Sequence, residues 1–160
     1  MFGDWDVSLA VGVEVLDTDH KFLMSLMKQL SEAVATGQSR DLVGSILTVL
    51  VEVAEGHFLR EERLLERAGY PALANHRREH RHLIDSLQLI QQRYLDGKRA
   101  LLDESTLQFF QDWLVGHIGA TDGDYRSLLE NFSFSPDDLR GTVLEVCPPP
   151  PRVEAQRPRI

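Results

Sequence analysis

The sequence predicts an all-α protein, an antiparallel up-down-up-down four-helix bundle with an extended N-terminal arm and a proline-rich C-terminal tail. Apolar residues recur at three- and four-residue intervals through four long stretches. Glycine and proline punctuate the short links between those stretches. No segment alternates as a strand would. Four long helices joined by short links fold back on one another as a bundle.

Residues 1–16 read as the arm, with Trp5, Val11 and Val13 as anchors and Gly3 and Gly12 opposing a helix. Asp17 or Thr18 caps a first helix beginning near Asp19, whose stripe is Phe22, Leu23, Leu26, Met27, Leu30 and Val34. Gly37 closes it. A second helix runs from about Asp41 to Glu66 and carries Leu42, Ile46, Val49, Leu50, Val53, His57, Glu61 and Leu64/Leu65 at the same period. Gly69 and Pro71 break it. A third spans about Ala72 to Tyr94, with Leu73, His76, His80, Leu83, Ile84, Leu87 and Ile90 on one stripe, and Asp96-Gly97 ends it. A fourth extends from about Ser105 to Asn131 through Leu107, Phe110, Trp113, Leu114, His117 and Tyr125. The bundle domain is expected over 1–131. Residues 132–160 form an extension in which Ser135-Pro136 starts a short capped helix, and Pro148 to Pro151 impose polyproline geometry on a disordered tail.

At 160 residues the chain is one domain, long enough to bury about two-thirds of its unfolded surface. Its single cysteine, Cys147, permits no internal disulfide. The first ten residues lack the pattern of a signal peptide. No stretch reads as a membrane span of roughly 20 apolar residues, so a cytoplasmic location is expected. A formal charge of -8 disfavours nucleic acid as a partner. A monomer is the expected state, with the tail as the surface for any protein partner.

Two pairs carry the chemistry, His57-x-x-x-Glu61 and His76-x-x-x-His80, on consecutive helices. Residues four apart lie about 40° apart around a helix axis, so each pair presents two ligands to one point. A lone pair of this kind is more often a surface accident or a buried histidine bonded to a carboxylate. Two pairs within apolar stripes reverse that weighting, because buried polar groups without partners cost about 1–3 kcal/mol each. Antiparallel packing brings the start of helix one, the end of two, the start of three and the end of four together. His20, His57, Glu61, His76, His80, His117 and Asp122 all fall toward that end.

His117 and Asp122 are five apart and diverge by about 140° on a regular helix. Either Asp122 reaches round or a π-bulge returns it to the same face. Gly116, Gly119 and Gly123 make that stretch easy to deform. His82 points away and is solvated. Glu79 and His82 form one Glu-x-x-His pair, on the wrong face, and the di-iron carboxylate bundles need two. Imidazole with carboxylate suits iron, zinc or manganese. Structural zinc closes with four ligands, often cysteine, which the bundle lacks. Seven ligands with carboxylate bridges fit a two-iron centre better.

These residues are where the chain resembles the hemerythrins, most closely the bacterial single-domain ones (bacteriohemerythrins). The likeness covers about residues 5–130: Trp5, Val11-Gly12-Val13, Asp17-Thr18-Asp19-His20, His57 through Glu62, Gly69-Tyr70-Pro71, His76-x-x-x-His80 and Trp113-Leu114-x-x-His117-Ile118-x-x-x-Asp122. That family is itself a standard instance of the bundle, so the topology expectation is not independent of the resemblance. The pattern often has Gln where this chain has Asp19, and Met where it has Leu65; Asp19 would bring negative charge near the site. The resemblance implies that His76, His80 and His117 hold one iron and His20 and His57 the other. Glu61 and Asp122 would bridge them together with an oxo or hydroxo group, leaving an open position on the His20/His57 iron for dioxygen. It also implies that Leu23, Phe58, Trp113, Leu114 and Ile118 line the oxygen pocket, although plain bundle core would be equally apolar there.

The expected function is therefore reversible dioxygen binding at a non-haem two-iron (Fe2+/Fe3+) centre, for oxygen storage, delivery or sensing, and not an enzyme. The alternatives are a redox enzyme reducing peroxide or nitric oxide, and a sensor signalling through its C-terminal tail. The sequence offers no acid or base beside the open iron other than Asp19, which weakens the enzyme alternative.

Overall fold

The computed structural model describes residues 5–98 and 102–139. Its helices are α1 (Glu14–Ala35), α2 (Arg40–Ala68), α3 (Leu73–Leu95), α4 (Glu104–Gly116) and a short α5 (Arg126–Glu130), with no strand among the described residues. A 3-10 turn, Val7–Leu9, precedes α1, and a π turn, His117–Thr121, with a 3-10 turn, Gly123–Tyr125, joins α4 to α5. α1 packs on α2 and α4, and α2 packs on α3. The four-helix bundle is borne out.

The arm differs from expectation. α1 starts at Glu14, five residues before Asp19, and Asp17 lies inside it. Asp17 serves the arm rather than capping the helix at its own position. Its carboxylate accepts hydrogen bonds from the backbone N–H of Val11, at 2.7 Å, and Gly12, at 3.2 Å. With Glu14 it also places negative charge in the first helical turn, where the helix dipole favours it. Gly12 turns the chain at φ 84°, a left-handed conformation that glycine adopts without strain, and a Cβ there would also crowd Glu130 Cγ at 3.1 Å. Arg126 donates to the Ser8 carbonyl and ties the arm to α5.

The remaining boundaries follow local chemistry. Ser39 caps α2 through the Leu42 N–H. Gly69, at φ 72°, ends it in the left-handed conformation. Asp103 caps α4 through the Thr106 N–H. By length and composition α2 is apolar enough to cross a membrane, a test that the core helix of a bundle also passes, and half of that window is buried within the bundle.

Two apolar clusters bracket a polar layer. The larger holds Leu23, Met27, Leu50, Ala54, Phe58, Leu83, Phe110, Leu114 and Ile118. The smaller holds Val11, Val13, Leu16, Leu64, Leu65, Tyr125 and Leu129. On α1, His20 lies between Leu16 and Leu23; on α2, His57 and Glu61 lie between Ala54 and Leu64. Each buried leucine contributes roughly 1.5–3 kcal/mol, which offsets the burial of this layer.

Phe134 packs on the smaller cluster. Asp138 pairs with Arg67 at 3.0 Å and closes a capping turn on Ser135. Residues 132–139 thus lie against the bundle as a capped turn. Cys147, Pro148 to Pro151 and the rest of the expected tail lie outside the described residues.

Candidate metal centre

The π turn settles how His117 and Asp122 share a face. The Asp122 N–H donates to the His117 carbonyl, five residues back, at 2.9 Å. The extra residue in the turn takes up the rotation that would otherwise separate them. The glycines flanking it need no special backbone: Gly116, Gly119 and Gly123 all have negative φ. A Cβ at Gly116 or Gly123 would meet nothing within 4 Å.

All seven expected ligands converge, each no more than 5 % exposed. Glu61 Oε2 lies 3.2 Å from His80 Nε2, 3.4 Å from His76 Nε2 and 3.6 Å from His57 Nε2. Asp122 faces both ways, with Oδ2 3.3 Å from His20 Nε2 and Oδ1 3.1 Å from His117 Nε2. His80 Nε2 and His117 Nε2 stand 3.0 Å apart. Atoms bound at about 2.1 Å to one ion lie roughly 3.0–3.4 Å from each other, close to the 3.0–3.6 Å found here. Two groups able to hold an ion result: Glu61, His76, His80, His117 and Asp122, and His20, His57 and Glu61. Glu61 belongs to both.

The donor set fits a metal pair. His20 Nε2, His76 Nε2, Glu61 Oε2 and both Asp122 oxygens are buried without a hydrogen-bond partner. Leaving five such atoms unsatisfied would cost about 1–3 kcal/mol each, whereas a cation satisfies them together. Nitrogen and oxygen donors without thiolate suit iron, manganese or zinc.

The protonation pattern points the same way. Burial alone would raise the Glu61 carboxyl, but His76 and His80 hold it well below the usual carboxylate range. Burial opposes charge on His80, yet Glu61 and Glu62 overcome it and push the imidazole up to about 9. Burial also opposes charge on His20, and Asp122 more than offsets it. Burial and the neighbouring His20 push His57 down. Of these imidazoles, His80, held between Glu61 and Glu62, is the one pushed well above neutral.

Carboxylates behind the rings were not foreseen from sequence. Glu62 Oε1 accepts from His80 Nδ1 at 2.9 Å, and Glu79 Oε2 lies 3.5 Å from His117 Nδ1. Asp19 Oδ2 accepts from His57 Nδ1 at 3.3 Å. Asp19 is not a bare negative charge, because Arg60 pairs with it in the core. Such contacts fix the tautomer and aim Nε2 at the metal. The Glu61-Glu62 doublet was the available signal for one of them. Tyr125, placed by the sequence on the fourth helix, also donates to Glu61 Oε1. His82 is exposed, as expected.

Of the five expected pocket residues, Leu23, Phe58 and Leu114 line a small cavity of about 20 Å³. Met27, Ala54 and Phe110 complete its wall with deeper leucines, and no polar side chain lines it. Trp113 stacks on His117 at 4.4 Å, Phe58 also stacks on His80 at 3.8 Å, and Ile118 is buried in the same cluster.

Residues 11–129 match the family described as hemerythrin HHE cation binding domain. A myohemerythrin of Theromyzon tessulatum is 30% identical over 125 residues, 78% of this chain and 92% of its own length. A bacteriohemerythrin of Methylococcus capsulatus is 32% identical over 109 residues, 68% of this chain and 82% of its own. The crystal structure of a wild-type hemerythrin superposes with a TM-score of 0.75 at 29% identity, covering 81% of this chain and 99% of that one.

Proposed function

The chain belongs to the hemerythrin family, and on that premise we propose that it binds dioxygen reversibly at a non-haem two-iron centre, as a carrier, store or local source. Two iron ions, when bound, supply the two electrons that reversible dioxygen binding requires. His76, His80 and His117 would hold one ion and His20 and His57 the other, with the Glu61 and Asp122 carboxylates shared between them. The observation that carries this reading is the asymmetry of the two groups. The one built on His20 and His57 has fewer protein donors, and so has room for a small external ligand.

The chain's own residues supply geometry and dryness. A cavity of about 20 Å³ with a wholly apolar wall admits a diatomic gas but offers a water no partner. Leu23, Phe58 and Leu114 place that wall beside the ligand helices. Dry surroundings slow proton entry and favour release of dioxygen over its reduction. Asp19, the acid that might have served an enzyme, is engaged by Arg60 and His57, which favours a carrier over a peroxide or nitric oxide reductase. Residues 1–131 are read as the oxygen-binding unit and 132–160 as an extension.

The test is anaerobic loading with Fe2+ followed by cycles of air and argon. A visible absorption band that rises in air and falls under argon is expected in the parent chain, and His57→Ala should lose both the band and one iron per chain. A band that fails to fall under argon, or a single iron in the parent, would overturn the reading.

A further inference from the structure

We propose that Asp19 and Arg60 form a neutral buried dyad that positions His57, and that occupancy of the His20/His57 side of the centre depends on it. The inference rests on the two-metal reading above and adds to it a residue pair outside the ligand set.

Asp19 is 1 % exposed and Arg60 4 %. A carboxylate buried this deeply is costly unless paired and hydrogen-bonded. Asp19 meets both conditions through one oxygen, Oδ2, which receives Arg60 Nη1 and His57 Nδ1. The bond at Nδ1 places the His57 proton there and leaves the Nε2 lone pair facing Glu61 and the metal position. Arg60 lies one helical turn beyond His57 on α2, and Asp19 immediately precedes His20 on α1. The dyad therefore joins the two helices that supply this side of the centre.

The dependence is one-sided. His80 has Glu62 and His117 has Glu79 behind them, on the side with five donors. The other side has His20, His57 and Glu61, with Asp122 Oδ2 shared at 3.3 Å from His20 Nε2. His20 Nδ1 is buried without a hydrogen-bond partner, so among the described residues its ring receives no equivalent aim. Of the two imidazoles there, among the described residues His57 alone has a carboxylate behind its Nδ1, so loosening it removes the one ring on that side aimed from outside the ligand set. Because Arg60 cancels the Asp19 charge, the dyad contributes orientation rather than net charge.

The metal-free full chain should be titrated anaerobically with Co2+, following binding by calorimetry and visible absorption. The parent is expected to show two binding events. In Asp19→Ala/Arg60→Met, which removes both charges together, one event should weaken by about 10–100-fold while the other stays within about threefold. Asp19→Asn/Arg60→Gln, which keeps an acceptor for Nδ1–H, should retain both events. Equal weakening of both events, no weakening, or failure of the Asn/Gln pair to retain binding would overturn the proposal while leaving the two-metal reading intact. A parent that takes up a single Co2+ defeats that reading itself. A readout independent of any variant is the nitrogen-15 NMR tautomer of His57 in the metal-free parent. Protonation at Nδ1 is expected, and protonation at Nε2 would overturn the proposal even if the Ala/Met variant failed to fold.

Discussion

The backbone N–H of Asp122 reaches the carbonyl of His117 across one π turn, at 2.9 Å, and this one bond places both side chains in the centre. Inserting one alanine after Ala120 would add a residue beyond the one the π turn absorbs and rotate Asp122 by roughly 100°. The expected outcome is a folded helical chain that binds fewer than two metals. Circular dichroism checks the first part and metal analysis the second; two tightly bound metals in the insertion variant would refute the role given to the turn.

Tyr125 is fully buried and donates its hydroxyl to Glu61 Oε1. Tyr125→Phe leaves that carboxylate oxygen without its donor, at a cost of about 1–3 kcal/mol. Urea unfolding of the metal-free protein should show a lower midpoint with an unchanged slope. An unchanged midpoint would mean that Glu61 finds another donor.

Metal uptake should depend on pH in a definite direction. The His80 imidazole, pushed up to about 9 in the metal-free chain, is protonated at neutral pH, and a metal must displace that proton. Affinity should therefore rise with pH, by about tenfold per unit for each proton displaced, and level off above about 9. Calorimetry in buffers of different ionisation enthalpy should detect at least one proton released per chain at pH 7. Uptake without proton release would mean that His80 is already neutral at pH 7 in the metal-free chain.

Leu114 lines the apolar cavity. Leu114→Ala should enlarge it, lower stability by about 2–5 kcal/mol, and speed the loss of oxygen-binding capacity by autoxidation. Thermal melts and repeated air–argon cycles measure the two effects separately. An undiminished number of reversible cycles would take Leu114 out of the oxygen pocket.

Residues 132–139 dock through Phe134 and the Asp138–Arg67 pair. Arg67 is mostly exposed, and exposed pairs contribute little, so Arg67→Ala should shift stability by no more than about 1 kcal/mol. Phe134→Ala should cost more, because Phe134 shares its cluster with Tyr125 and Leu64. A larger effect from Arg67 than from Phe134 would show that charge rather than packing holds this segment.

Helical periodicity and the one-ended placement of His20, His57, Glu61, His76, His80 and His117 were legible in the chain alone. Their spacing follows from 3.6 residues per turn, and four antiparallel helices leave one arrangement that joins them. The sequence also narrowed Asp122 to two routes into the centre without choosing between them. What it left undetermined depends on contacts between segments distant in the chain. The early start of α1 needs Asp17 to meet the backbone of Val11 and Gly12. The π turn at His117 depends on packing, because a one-residue change in helical register is locally inexpensive and its neighbours decide it. The partnership of Asp19 with Arg60 and His57 bridges some forty residues, and no local pattern announces it. Periodicity therefore determined which faces meet, and only the folded chain decided which polar atoms stand behind the ligands, because hydrogen-bond partners are chosen by proximity across helices.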